Sequence, residues 1–208
     1  MSESVFNFPN CEFWLVRHAE TAWNKAGRWQ GHADVPLSER GRGQVEKLAE
    51  SWRNEESLEG AGPLFSSDLS RTVETATALG DVLGLQPQLD AGLRELDVGE
   101  WSGHVRAEIQ QRDPELLARF ESEDPDARPP GGETRREIRS RAHRVILALA
   151  ESYPDSRMVV VTHRGFIRAL LPGVDMGNAE CVRVSAEEAL TRRWERVVGS
   201  GAERGRPL

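Results

Sequence analysis

Cysteine is scarce. The 208 residues hold two, Cys11 and Cys181, too few for a disulfide framework. A reduced, cytoplasmic setting is the expectation. The opening stretch, MSESVFNFPN, lacks the basic segment and apolar core of a secretory leader. No run reaches the roughly 18 apolar residues of a membrane span, so no membrane partner is expected. Positive charge is in deficit, with 27 Lys and Arg against 34 Asp and Glu and a net charge of −7. A broad basic surface for nucleic acid is thereby excluded. Neither G-x-x-x-x-G-K-[ST] nor G-x-G-x-x-G occurs, so nucleotide binding has no motif behind it. What is there is a globular composition, 38% hydrophobic and 29% charged, at a length that suits one domain. That domain is expected over residues 1–198, with GSGAERGRPL (199–208) as a loose tail.

An acidic protein that handles an anion must gather its positive charge locally, which turns attention to clustered arginine and histidine. Phe13–Val16 is a short apolar run, as a buried strand should be, and it stops at Arg17-His18. Ser38 can cap a helix that carries Val45, Leu48, Ala49 and Trp52 on one face. Residues 54–62 read as a loop and Pro63–Ser66 as a second strand. A helix starts near Ser67 or Asp68 and ends at Gly84, with Leu69, Val73, Ala76, Leu79 and Leu83 as its stripe. Residues 93–103 are irregular, 105–112 and 114–122 suit short helices, and 124–132 is a loop by its Pro and Gly. Ile138, Ala142, Val145, Ile146 and Leu149 share a face over a helical stretch from Glu133 to Tyr153. Met158–Val161 is β-branched and strand-like and ends at Thr162-His163; a helix over Gly165–Leu171 stops at Pro172. Cys181–Val198 reads as a hairpin whose edge could serve a homodimer. Alternating strands and helices argue an α/β fold with a mostly parallel sheet, whose strand carboxyl ends form the ligand crevice. His18 and His163 both fall there.

Six segments in order carry a resemblance: RHAETAWN, RWQGHADVPLSERG (28–41), SSDLSRTVETA (66–76), LRELDVGEWSG (93–103), PPGGET (129–134) and VVVTHRGFIRALL (159–171). Together, over roughly residues 12–185, they resemble the histidine phosphatase superfamily. The resemblance implies a phosphoglycerate mutase-like fold, a three-layer α/β/α sandwich with a mostly parallel central sheet. It implies a phosphoryl-transfer enzyme acting on a small phosphorylated substrate, with no cofactor and no metal. By position, His18 would be the nucleophile that becomes phosphohistidine. Arg17 and Arg71 would bind the phosphate, His163 would be the second active-site histidine, and Glu95 the proton donor. Asn24, Gln30 and Gly31 would line the phosphate side.

The residue chemistry agrees. Two guanidiniums offset the charge that makes a phosphate ester repel nucleophiles, and their forks match its oxygens. Arg71 falls in the first turn of its helix, where amide dipoles also favour an anion. Neighbouring positive charge keeps the His18 imidazole neutral, as attack requires. Asp97 and Glu100 are competing carboxylates beside Glu95, and Glu20 can brace backbone near the nucleophile. His32, His104 and His143 have no metal-ligand spacing. His143 belongs to a polar helix face, while His104 stands near the expected mouth. Trp23, Trp29 and Trp101 read as packing, with Trp101 at the pocket border. Cys11 and Arg17 also form C-x5-R, the spacing of cysteine-dependent phosphatases, but the residues between them have strand character and would hold the ends about 20 Å apart.

A mutase shares this core, and so would a non-catalytic phosphate-binding member of the fold, whose mark would be loss of one of Arg17, His18, Arg71, Glu95 and His163, all present here. The 104–132 segment is short and lacks the longer, paired-arginine insertion that the resemblance leads one to expect of cofactor-dependent mutases, so a phosphatase is the expectation. Arg106, Arg112 and Arg128 are candidates for a second anionic group on the substrate, alongside a plain surface role. Ala19 and Arg164 depart from the family pattern after each histidine, and Arg164 could narrow the pocket or add a contact.

Overall fold

A computed structural model describes residues 8–53 and 55–192. In chain order the elements are β1 (Glu12–Arg17), α1 (Ala22–Lys25), α2 (Glu39–Trp52), β2 (Leu64–Ser66), α3 (Ser70–Leu83), β3 (Gln88–Leu89), α4 (Arg106–Arg112), α5 (Pro114–Glu121), α6 (Arg135–Ser152), β4 (Arg157–Thr162), α7 (Arg164–Leu170), β5 (Cys181–Ser185) and α8 (Ala186–Thr191). The boundary expected at residue 198 and the tail expected over 199–208 lie outside the described residues.

The sheet order is β3-β2-β4-β1-β5, parallel throughout except for β5, which runs antiparallel to β1. Period-two alternation divides the apolar residues of each strand between two layers. Phe13 and Leu15 of β1, with Met158 and Val160 of β4, face Ile138, Ala142 and Ile146 of α6 and Phe166 of α7. Trp14 and Val16, with Val159 and Val161, face Ala49 and Trp52 of α2 and Ala76 and Leu79 of α3. Helices thus cover both faces, and the three-layer α/β/α architecture follows.

The helix over 67–84 begins later than its sequence suggests. Both candidate caps are engaged elsewhere: Ser67 Oγ meets His163 Nε2 at 3.0 Å and Asp68 Oδ1 accepts from Arg94 Nε at 2.7 Å. The helix therefore starts at Ser70, and Gly84 ends it in the left-handed conformation at φ 69°. The buried face is also not the simple apolar stripe, because Arg71, Thr72 and Thr75 are buried beside Ala76 and Leu79 while Val73 and Leu83 are only partly so.

The hairpin expected over Cys181–Val198 is not seen over residues 181–192, where a helix follows β5, and residues 193–198 lie outside the described residues. Ser185 accepts from the Glu188 N–H at 3.1 Å while Glu188 accepts from the Ser185 N–H at 3.0 Å. This capping box starts α8 at Ala186 and turns the chain out of the sheet. Among the described residues no helix is long and apolar enough to cross a membrane.

One close approach ties α2 to the end of β1. A Cβ on Gly41 would lie 2.0 Å from the Glu20 carbonyl oxygen, two residues beyond His18. Gly43, on the same helix, has open space around it. Gly41→Ala is expected to destabilise by about 2 kcal/mol or more, lowering Tm by roughly 4–8 °C, because backbone must move. Gly43→Ala should raise Tm slightly, by up to about 1 kcal/mol of helix propensity. Thermal unfolding of the two variants checks this, and equal shifts would remove the steric argument.

Candidate active site

Parallel pairing of β1 with β4 aligns Arg17 with Thr162, so the next residues, His18 and His163, leave adjacent strands at the same level. The His18 N–H continues the ladder to the Thr162 carbonyl at 3.0 Å. The two imidazoles end with ring centroids 5.2 Å apart at 60°. His18 is 3% exposed and sits on the wall of a cavity of about 250 Å³, whereas His163 is 0% exposed and stands behind that wall.

His18 Nδ1 lies 2.7 Å from the Ala19 carbonyl oxygen. A carbonyl only accepts, so Nδ1 carries the proton and the Nε2 lone pair is free. Burial, reinforced by Arg71 and Arg17, pushes the His18 pKa well below the usual histidine value. His163 is lowered in the same way by burial, then by Arg71 and His18. Its Nδ1 is buried, with no partner among the described residues.

Both expected phosphate arginines reach the same cavity. Arg17 Nη1 donates to the Met176 carbonyl at 2.6 Å. Arg71, fully buried, donates from Nη1 to Ala33 O at 2.7 Å and from Nη2 to Gly31 O at 2.9 Å. Among the described residues the Nε–H of each is buried and has no partner. Burial lowers the Arg71 pKa to about 10, which still leaves it charged at neutral pH. The expected help from amides of α3 is not seen at Ser70, whose N–H already donates to Asp34 Oδ1 at 2.7 Å.

Glu95 faces them from the irregular 93–103 stretch. Oε1 accepts from the Leu96 N–H at 2.8 Å and Oε2 from the Gly165 N–H at 3.2 Å. A Cβ on Gly165 would lie 2.2 Å from Glu95 Oε1 and would push that carboxylate out of its place. Arg141 holds the stretch from behind, donating to the carbonyls of Gly92, Arg94 and Glu95 and pairing with Glu133 at 2.7 Å. His32 Nε2 donates to the Glu95 carbonyl at 2.9 Å. Asp97 and Glu100, the competing carboxylates, are absent from the cavity wall.

Asn24, Gln30 and Gly31 all line the cavity. Asn24 Oδ1 accepts from the Thr21 N–H at 3.1 Å, and the single Thr21 hydroxyl proton has two acceptors in reach, Asn24 Oδ1 at 3.1 Å and Gln30 Oε1 at 3.0 Å. Glu20 is buried and braces, accepting from Ser38 Oγ at 3.0 Å and pairing with Arg40 at 3.2 Å. Arg164 lines the cavity while pairing with Asp175.

Several of the secondary candidates stand off the cavity wall. Trp101 is fully buried, its Nε1 donating to Asp113 at 2.8 Å, and Trp29 packed against it takes the place at the wall. His104 is engaged with Glu108 and Arg112 and is not on the wall. Arg106, Arg112 and Arg128 pair with Glu121, Glu100 and Glu137 and also miss it. His143 is partly buried rather than on a free polar face. Cys11 ends C-x5-R on the far side of an extended strand, and burial raises its thiol pKa, so it is no phosphatase nucleophile. Sequence reasoning missed Arg28, Phe120, Arg135 and Arg168 on the wall. Only Arg168 left a signal, four residues after Arg164 on one helix. Among the described residues no cluster of three or more His, Cys, Asp or Glu could hold a metal ion.

Residues 13–189 match the histidine phosphatase superfamily, branch 1. The chain belongs to that superfamily. It is 35% identical over 175 residues to phosphoglycerate mutase-like protein 4 of Arabidopsis thaliana, covering 82% of this chain and 75% of that one. Over 195 residues it is 33% identical to glucosyl-3-phosphoglycerate phosphatase of Mycobacterium tuberculosis, covering 84% and 85% of the two chains. The structure of a mycobacterial glucosyl-3-phosphoglycerate phosphatase with VO3 superposes with a TM-score of 0.74 at 33% identity, over 83% of this chain and 90% of the other. As a histidine phosphatase with phosphatase relatives, the chain is a phosphoric monoester hydrolase.

The buried imidazoles make stability pH-dependent. A histidine with a depressed folded pKa stays neutral in the fold while the unfolded chain takes up a proton near pH 6.5. Their contribution is whole above that pH and is lost as pH falls, by up to about 1.4 kcal/mol per pH unit for each imidazole. The urea midpoint should drop from pH 7 to pH 5, and His163→Asn should make the slope shallower. A midpoint unchanged over that range would contradict the neutral pair.

Proposed function

We propose that this histidine phosphatase hydrolyses small phosphorylated metabolites through a phosphohistidine on His18. One observation carries the reading: a free Nε2 on a neutral imidazole faces a cavity walled by two arginines, each with a buried, unpartnered Nε–H. Such donors are destabilising unless something accepts from them, and a phosphoryl oxygen does.

In the first step His18 Nε2 attacks phosphorus and the ester P–O bond breaks. The bonding pair leaves on the alkoxide oxygen, which takes a proton from Glu95. In the second step Glu95 accepts a proton from water as that water attacks phosphorus, and the P–N bond returns its pair to Nε2. Arg17 and Arg71 offset charge on the phosphoryl oxygens throughout. Ser67 Oγ lies 3.0 Å from His163 Nε2; with the hydroxyl as donor, His163 carries its proton on Nδ1, the unpartnered atom, for a phosphoryl oxygen carried by His18. Asn24, Gln30 and Gly31 shape the phosphate end. The cytoplasm is the compartment proposed, on the two free thiols.

Transfer back to a second oxygen, as in a mutase, is the alternative, and the mutase-like relatives favour keeping it. Turnover of 3-phosphoglycerate with and without 2,3-bisphosphoglycerate separates the two: inorganic phosphate marks the phosphatase and 2-phosphoglycerate the mutase.

The wild type should acquire an alkali-stable, acid-labile label from a radiolabelled monoester. His18→Ala should not label and should lose activity at least about a thousandfold. Equal turnover in both would end the nucleophile assignment. Glu95→Gln should slow hydrolysis of an alkyl phosphate by about 100-fold. It should slow p-nitrophenyl phosphate much less, because that leaving group departs without a proton. A uniform loss on both substrates would take the acid role away from Glu95.

A further inference from the structure

Glu95 stands on backbone that no strand ladder or long helix holds. Residues 94–98 run between two single turns of 3-10 helix, Ala91–Leu93 and Gly99–Trp101, and lie outside every strand. Carbonyls in such a stretch need partners from elsewhere. One guanidinium supplies most of them. Arg141 Nη1 donates to the carbonyls of Gly92 and Arg94 at 2.8 Å each, and Nη2 donates to that of Glu95 at 3.1 Å. Nη2 and Nε also donate to the Glu133 carboxylate, at 2.7 and 3.1 Å. All five N–H groups of the side chain are thereby used.

Glu133 completes the frame. Its own N–H donates to the Asp97 carbonyl at 2.8 Å, and its Oε2 accepts from the Asp97 N–H at 3.4 Å. The near end of the stretch is pinned too, because Thr162, the residue before His163, donates from Oγ1 to the Leu93 carbonyl at 2.7 Å. Arg141 stands on α6 between Ile138 and Ala142 on one side and the Glu95 stretch on the other, and both of those apolar residues are buried in the core. The Arg141 and Glu133 side chains are 18% and 16% exposed, so solvent screens this pair less than the surface pairs. Neither residue is on the cavity wall.

Resting on the acid–base role of Glu95 argued above, we propose that Arg141, held by Glu133, is the positioning residue of the proton donor. It fixes the main chain from which the Glu95 carboxylate is aimed, and so acts on proton transfer rather than on the phosphate. The carboxylate accepts from two N–H groups of different origin, Leu96 within the framed stretch and Gly165 on α7. Both bonds hold together only while the stretch keeps its distance from α7. His32 also donates to the Glu95 carbonyl, but through one bond, so Arg141 carries most of the restraint. A shift of about 1 Å at a reacting group can cost on the order of 100-fold in rate.

A pair that only stabilised the fold would cost every substrate alike, and leaving-group dependence tells the difference. Here kcat/KM reads the steps up to departure of the leaving group, in which Glu95 gives up its proton. Arg141→Ala should lower kcat/KM for 3-phosphoglycerate by at least about tenfold, and for p-nitrophenyl phosphate by a factor about fivefold smaller. Arg141→Lys keeps the charge opposite Glu133 without the five-donor fork, and its ratio between the two substrates should fall between those of wild type and Arg141→Ala. In a Glu95→Gln background, Arg141→Ala should cost 3-phosphoglycerate no more than about twofold further, because the group it aims is already gone. Each ratio is taken within one protein, so partial misfolding cancels. If Arg141→Ala does not fold, Arg141→Lys carries the test, with a ratio at least about threefold below wild type. Equal losses on both substrates, or a loss that adds in full to that of Glu95→Gln, would overturn the proposal. A Glu95→Gln loss equal on both substrates would remove the acid role and the positioning role with it. A selective Glu95→Gln beside an unselective Arg141→Ala rejects the positioning role alone.

Discussion

The parallel ladder between β1 and β4 is the constraint on which the site depends. It sets Arg17 level with Thr162, and the residue after each is a histidine. Nothing else in the fold needs to bring the imidazoles together, because hydrogen-bond register does so. A slip by one residue would turn one ring to the opposite face of the sheet. Register is strongly specified here, since both faces of both strands are buried against helices.

Positive charge is then the second condition. The rings are buried, Arg71 acts on both and Arg17 on His18, and burial first and then charge keep both unprotonated. The arginines are themselves partly satisfied by carbonyls of Met176, Ala33 and Gly31. The site is held in shape by its own backbone before any anion arrives. That is preorganisation of the kind that electrostatic catalysis requires.

Much of this was legible in the chain. The apolar runs that end at Arg17-His18 and Thr162-His163 mark two strand ends of a parallel sheet, and such ends are where ligands bind. Helix stripes on α2 and α6 were readable because burial there follows one period. α3 was less so, since its buried face carries Arg71, Thr72 and Thr75 for the sake of the site. Ser185 and Glu188 carried a capping signal that a strand-like run before them obscured. The distal wall left almost no trace. Phe120 and Arg135 are neighbours only because α5 folds against the start of α6, and no local spacing announces a contact made by tertiary packing.

The connection from α7 to β5 has a consequence for how the enzyme fails. Met176 holds Arg17 by its carbonyl, Asn178 donates to the His18 carbonyl at 3.1 Å, and the Ala179 N–H reaches the same oxygen at 3.3 Å. Yet of residues 172–180 only Met176 is buried. A thinly packed clasp opens at lower free energy than the core beneath it. The aim of the nucleophile can therefore be lost while the sheet is still intact, so that warming silences the chemistry before it dismantles the architecture.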